Sequence, residues 1–132
     1  MSVVPETLEQ RRAGHALGKV NELQSLEKDR YGNFVSYVES LPASIVINGL
    51  GQAMAYELSC KKDVGHEHLY NIMEDWLCHN SGAFTDSSND LMEAITENGQ
   101  REYVLAQAES LAYLEWLKKF ARAYLEKGGN DE

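Results

Sequence analysis

The chain has 132 residues, 43% of them hydrophobic, with 21 acidic residues against 12 basic and a formal net charge of −9. That length buries a core without staples, and its two cysteines, Cys60 and Cys78, form neither a disulfide framework nor a C-x-x-C pair, so buried free thiols are expected. The charge argues at first sight against nucleic-acid binding, since neutralising phosphates needs a surplus of lysine and arginine, and no run approaches the roughly 20 apolar residues of a bilayer span; with no secretion-type order in MSVVPETLEQRR, a soluble, cytoplasmic protein without a membrane partner is expected.

Leu, Ala, Glu, Gln and Lys recur at helical spacing and period-two alternation is scarce, which predicts an all-α fold. Thr7-x-x-Gln10 has the form of a capping box, so a first helix starts near residue 6 and runs towards Lys28, with Ala13, Ala16, Leu17, Val20 and Leu23 as its buried stripe. Gly32-Asn33 breaks the pattern. Phe34, Val38 and Leu41 predict a short second helix that Pro42 ends or kinks, with Ala43 to Ile47 as a further turn. Asn48 and Gly49 tolerate left-handed backbone angles and mark a joint, after which Leu50 to Lys61 form another helix. Gly51 falls in its first turn, where a missing side chain permits close backbone approach.

Leu69, Ile72, Met73 and Trp76 share one side of a helix over about residues 66–79. HNSGAFTDSSND is polar and turn-rich, and a surface loop is expected over 80–89. Ser88 or Asn89 caps a short helix that Asn98-Gly99 stops. A long last helix follows from about Gln100 to Lys127. Its second half carries apolar residues (Tyr113, Leu114, Trp116, Leu117, Phe120, Ala121, Tyr124) around more than half its circumference, as packing against more than one neighbour requires. Residues 1–5 and 128–132 read as frayed ends. The expectation is one compact domain, 1–132, a bundle of about five to six helices with long first and last members.

N-G-L-G is no phosphate loop, because it lacks the third spaced glycine and preceding strand of a dinucleotide fingerprint and the G-K-[ST] of a P-loop. His66, His68, Cys78 and His79 lack zinc spacing; His68 and His79 on one helix lie about 16 Å apart along the axis. They read as exposed histidines on a polar face, and no metal or cofactor is expected. Adjacent or i,i+3 carboxylates such as Glu74-Asp75 and Asp90/Glu93 read as solvated faces. No motif compels catalysis, and no small-molecule substrate is implied. A helix-turn-helix reader built on the Gly49 joint is disfavoured, since the following helix offers no arginine for guanine edges.

Charge is unevenly distributed. Residues 63–100 hold eight acidic residues and no lysine or arginine; the remainder holds thirteen acidic and all twelve basic ones. Arg11, Arg12, His15 and Lys19 fall in one sector of the first helix, Lys118, Lys119 and Arg122 on the polar face of the last, and Lys61-Lys62 at the end of the helix after the joint. Gly14-x-x-x-Gly18 adds a flat strip to the first helix.

The stretches SLPASIVINGLGQAMAYEL, LYNIMEDWL and REYVLAQAESLAYLEWLKKFARAYL, with the opening TLEQRRAGHALGKV, resemble the small-subunit family of the type III-B CRISPR effector, the Cmr complex. The likeness covers most of the chain in order, the loop at 80–90 least. It implies a helical bundle without catalytic activity that stacks along an antiviral ribonucleoprotein filament. Its partners would be the backbone and large subunits, further copies of itself, guide RNA and target RNA, with cleavage and nucleotide chemistry left to the other subunits. Within the matched segments, Arg11, Arg12, Lys19, Lys61, Lys62, Lys118, Lys119 and Arg122 are the residues expected to face RNA phosphates. The acidic 63–100 stretch would point outwards or towards a basic neighbour. The alternative is a helical interaction module that braces a complex without touching nucleic acid.

Overall fold

The structure, a computed structural model, describes residues 6–84 and 89–127. The expected frayed ends at 1–5 and 128–132, and the middle of the 80–89 loop, lie outside the described residues. Six α-helices, α1 (Leu8–Gln24), α2 (Phe34–Asn48), α3 (Leu50–Ser59), α4 (Val64–Asp75), α5 (Leu91–Glu97) and α6 (Gln100–Tyr124), make up the fold, with no strand among the described residues.

The capping box forms as its sequence specifies. Gln10 N–H donates to the Thr7 hydroxyl at 3.0 Å, and Thr7 N–H donates to the Gln10 side chain at 2.8 Å. Ala16, Val20 and Leu23 of α1 are buried, one residue per helical turn. The helix stops at Gln24 rather than near Lys28, and Ser25 turns the chain back with its hydroxyl on the Glu22 carbonyl. No glycine or proline announces that stop.

Pro42 does not end the second helix, one of the two outcomes the sequence led us to expect; α2 is continuous from Phe34 to Asn48 with Pro42 inside it. Pro42 removes one hydrogen bond, at a cost of about 3 kcal/mol. Phe34, Val35 and Val38 before it and Leu41 and Ile45 around it are all buried, and burial of each large apolar side chain is worth roughly 1.5–3 kcal/mol. Packing on both sides therefore outweighs the missing donor.

The joint between α2 and α3 is a single residue. Gly49 closes one helix through its N–H to the Ile45 carbonyl and opens the next with φ 88°, ψ 156°, a backbone region open essentially to glycine alone. Asn48 stays helical, and every positive φ among the described residues belongs to glycine. The first free N–H groups of α3 find partners on α6: Leu50 N–H donates to the Gln107 carbonyl oxygen at 2.9 Å and Gly51 N–H to the Tyr103 hydroxyl at 2.8 Å. Side chains of another helix thus do the work of an N-cap.

Asp63 caps α4 by accepting from Gly65 N–H, so the helix begins at Val64, two residues before the start expected from periodicity. A side chain at Gly65 would lie 2.8 Å from the Tyr37 ring, so glycine here lets α2 and α4 touch. The ladder widens after Asp75 into a π turn, Trp76–Asn80, closed by Ser81 N–H on the Trp76 carbonyl. Trp76, Leu77 and Cys78 are all buried as a result. The loop that follows is not wholly superficial: Phe84, within a stretch read as polar surface, is 1% exposed and belongs to the core. Asp90 caps α5, one residue past the expected caps, and Asn98 closes it.

The long α6 packs against both α1 and α2, as its wide apolar sector required. Tyr113, Leu114, Leu117 and Ala121 are fully buried, whereas Trp116 and Phe120 are half-buried and Tyr124 is exposed. The core centres on Trp76 and Tyr113, stacked at 4.9 Å between centroids and 12° between planes.

Candidate nucleic-acid interface

The eight basic residues singled out by sequence stand on three separate parts of the surface, and most already hold a partner. On α1, the Arg11 guanidinium donates to the Asn80 carbonyl oxygen. Arg12 forms a two-pronged pair with Glu109 of α6 (Nε to Oε2 2.7 Å, Nη2 to Oε1 2.8 Å) and reaches Glu9 at 3.2 Å. Its side chain is 14% exposed and that of Glu109 is 11% exposed, and Glu109 also accepts from the Trp76 indole at 3.0 Å. The Glu109 hydrogen bond raises the Arg12 pKa further despite burial. Arg12 therefore ties α1 to α6 at the edge of the core. Lys19 is held more loosely, 3.6 Å from Asp75 and 3.9 Å from Glu22.

On α6, Lys118 and Lys119 both lie on Glu115, at 3.3 and 3.4 Å. Arg122 donates to Glu39 of α2 at 2.5 Å, with Lys127 at 3.4 Å from the same carboxylate. The third group, Lys61 and Lys62, sits in the turn between α3 and α4. Both are exposed, and their side chains make no ion pair among the described residues. The structure thus brings Lys118 and Lys119 together and Lys61 and Lys62 together, while α1 directs its charges onto α6, α4 and the π turn.

These contacts differ in strength. Pairs between exposed side chains contribute only about 0–1 kcal/mol, so Lys118 and Lys119 exchange Glu115 for a phosphate at small cost. Breaking the half-buried, two-pronged Arg12–Glu109 pair costs more, about 1.5–3 kcal/mol for its charge-assisted hydrogen bonds. By this criterion Lys61, Lys62, Lys118 and Lys119 are available to a polyanion and Arg12 is the most firmly committed to the fold.

The acidic 63–100 stretch does internal work that its sequence did not disclose. Asp63 and Asp90 cap helices, Glu74 accepts from Leu91 N–H at 2.9 Å, and Asp75 holds His15 and Lys19. Glu67, Glu93 and Glu97 remain exposed. His15 joins this network: its Nε2 lies 2.7 Å from Asp75 Oδ2 and its Nδ1 2.6 Å from the Tyr113 hydroxyl. Burial lowers the His15 pKa and raises that of Tyr113. A neutral imidazole that accepts from Tyr113 and donates to Asp75 satisfies all three groups.

His66 departs from expectation. It is buried rather than exposed on a polar face, with Nδ1 2.7 Å from Glu57 Oε1 and its ring stacked on Tyr37. Nine residues separate Glu57 from His66 across a turn, and one-dimensional spacing carries no signal for such a pair. His68 bonds the Arg30 carbonyl, and His79 is exposed. Cys78 is buried as expected, and Cys60 is only half-buried. No group of three or more His, Cys, Asp or Glu side chains among the described residues is placed to hold a metal ion, and no helix among them is long and apolar enough to cross a membrane. A Cβ added at Gly14 or Gly18 would meet no atom of the described residues within 4 Å.

The model of the CRISPR-associated protein family Cas_Cmr5 matches residues 8–124, from the first residue of α1 to the last of α6. Among solved structures, the crystal structure of a CRISPR-associated Cmr5 family protein from Thermus thermophilus is similar over 92% of this chain and 100% of that one, at 29% sequence identity and a TM-score of 0.76. A family match across all six helices, together with this shared fold, establishes that the chain belongs to the Cmr5 family, the small subunits of the type III-B Cmr complex.

Proposed function

We propose that the protein is a non-catalytic structural subunit, folded as one domain and working in the cytoplasm, that stacks beside the backbone subunits of the Cmr complex. There it helps to hold guide and target RNA. Its contribution is an electrostatic grip on phosphates that ignores sequence, which base pairing with the guide reads instead. The observation that carries this reading is the pair Lys61-Lys62, adjacent, exposed and without an ion pair among the described residues. Lys118 and Lys119, held only by one exposed carboxylate, add a second point of contact. Arg11, Lys19 and Arg122 join only by exchanging their present partners, and Arg12 only by breaking its two-pronged pair with Glu109. One copy holds RNA weakly, and repeated copies in a filament hold it by multivalency.

The test is target-RNA binding by complexes assembled with Lys61→Glu/Lys62→Glu and with Lys118→Glu/Lys119→Glu. The expected result is normal assembly, weaker binding and a shallower salt dependence. Assembly with unchanged affinity and salt slope in both variants refutes the grip.

A second reading, an interaction module that braces neighbours without touching RNA, is favoured by a separate observation. Five of the eight basic residues, Arg12, Lys19, Lys118, Lys119 and Arg122, already face carboxylates of their own chain. Crosslinking of assembled complexes separates the two, since RNA adducts on Lys61, Lys62, Lys118 or Lys119 arise only from the first.

A further inference from the structure

A cleft of about 290 Å³ opens where α2, α3 and α4 meet, walled by Tyr37, Ser40, Ser44, Tyr56, Glu57 and His66. Its floor is a carboxylate. Glu57 is 5% exposed, and Oε1 is 2.7 Å from His66 Nδ1. Among the described residues Oε2 bonds no other group and no buried side-chain oxygen or nitrogen lacks a partner, so Oε2 keeps some exposure to solvent, and Glu57 lines the cleft. A carboxylate oxygen exposed in a cleft, with no donor among the described residues, is a strong acceptor.

The walls have the same bias. Ser40 donates its proton to the Ser36 carbonyl at 2.9 Å, which leaves its lone pairs for a guest. Tyr37 lies flat on His66, with centroids 3.6 Å apart, and donates its own proton to Asp63 at 2.7 Å. Tyr56 stands at right angles to His66 and is 58% exposed, presenting an aromatic face at the mouth. The cleft thus offers a carboxylate, π faces and the hydroxyls of Ser44 and Tyr56, which accept as well as donate, and the charges that bear on Glu57 are those of His66 and Asp63. A flat cation with several donors and no acceptor matches this lining. A guanidinium has that chemistry, stacking on tyrosine while it bonds a carboxylate. A nucleotide would bring its phosphate against two carboxylates.

We propose that this cleft is a socket for an arginine side chain presented by a neighbouring protein subunit. The inference rests on the chain being one subunit of a multi-protein complex and not on its hold on RNA.

Titration of the full chain with N-acetyl-arginine methylamide, followed by NMR of the Tyr56 and His66 rings, tests it. Saturable shifts are expected at both rings, with binding about tenfold weaker in Glu57→Gln, the loss of one charge-assisted hydrogen bond. Tyr56→Ala, at an exposed position that leaves the core intact, weakens binding as well and decides the matter if Glu57→Gln misfolds. Absence of saturable shifts, equal binding by the variants, or equal binding of N-acetyl-lysine methylamide overturns the socket. Tighter binding of guanosine monophosphate at these rings overturns it in favour of an RNA base. The two proposals fail separately: Lys61→Glu/Lys62→Glu should leave binding of the arginine compound unchanged, and Tyr56→Ala should leave the salt slope of RNA binding unchanged.

Discussion

Two glycine positions separate backbone necessity from mere tolerance. Gly49 occupies a φ, ψ region that a Cβ disfavours, and an added Cβ would also stand 3.1 Å from the Tyr103 hydroxyl. Gly49→Ala is therefore expected to destabilise the chain by about 1–3 kcal/mol in urea unfolding. Gly14 lies within α1 with open space around it, so Gly14→Ala is expected to stabilise by about 0.5–1 kcal/mol through helix propensity alone. His15 gives the residue scale a pH signature. Burial holds its pKa below the ordinary 6.5 against the opposing pull of Asp75, with Lys19 adding to the depression and Glu22 countering it. The unfolded chain then binds the proton more readily, so stability falls as pH drops below about 6.5. Thermal unfolding across that range should show the loss in the native chain and a flatter profile in His15→Gln.

Between elements, contacts at the edge of the core set how the helices are clamped. Arg12→Gln leaves the half-buried Glu109 with the Trp76 indole as its remaining donor, and should cost about 1.5–3 kcal/mol, measured by denaturant unfolding. Phe84 anchors the chain between the π turn and α5, so Phe84→Ala should cost about 3–5 kcal/mol in the same assay, as truncation of a core phenylalanine does. Much of the helix pattern was legible in one dimension. The Thr7 capping box, the joint at Gly49 and the stop at Asn98 are local, and their chemistry acts within a few residues. Pro42 and Phe84 were not legible, because what decides them comes from elsewhere: apolar neighbours packed on both sides of Pro42, and a core that reaches into a polar loop to bury Phe84.

For the molecule as a whole, net charge and local charge act in opposite senses. A formal charge of −9 repels itself, while exposed pairs such as Lys118–Glu115 contribute little. Added salt should therefore raise the melting temperature of the isolated chain modestly through screening. RNA binding by the assembled complex should respond with the opposite sign, its log affinity falling by about 0.7 per decade of salt for each single-strand phosphate contact the subunit makes. Melting curves and binding isotherms taken over one salt series check both. The basic groups were legible in the sequence as residue types on helix faces. Their availability was not, since Glu109, Asp75 and Glu39 come from other helices to claim them.

The sequence by itself determined that the chain is helical, the capped start of α1, the glycine joint between α2 and α3, the stop of α5, and which family it resembles, because helical period, local caps and family motifs are all written in near neighbours. Only the tertiary structure decided which charges remain free, that His66 is buried on Glu57, and that an acceptor-lined cleft opens between α2, α3 and α4. Those properties depend on pairs of side chains drawn from different helices, and packing, not spacing along the chain, brings such pairs within hydrogen-bond reach.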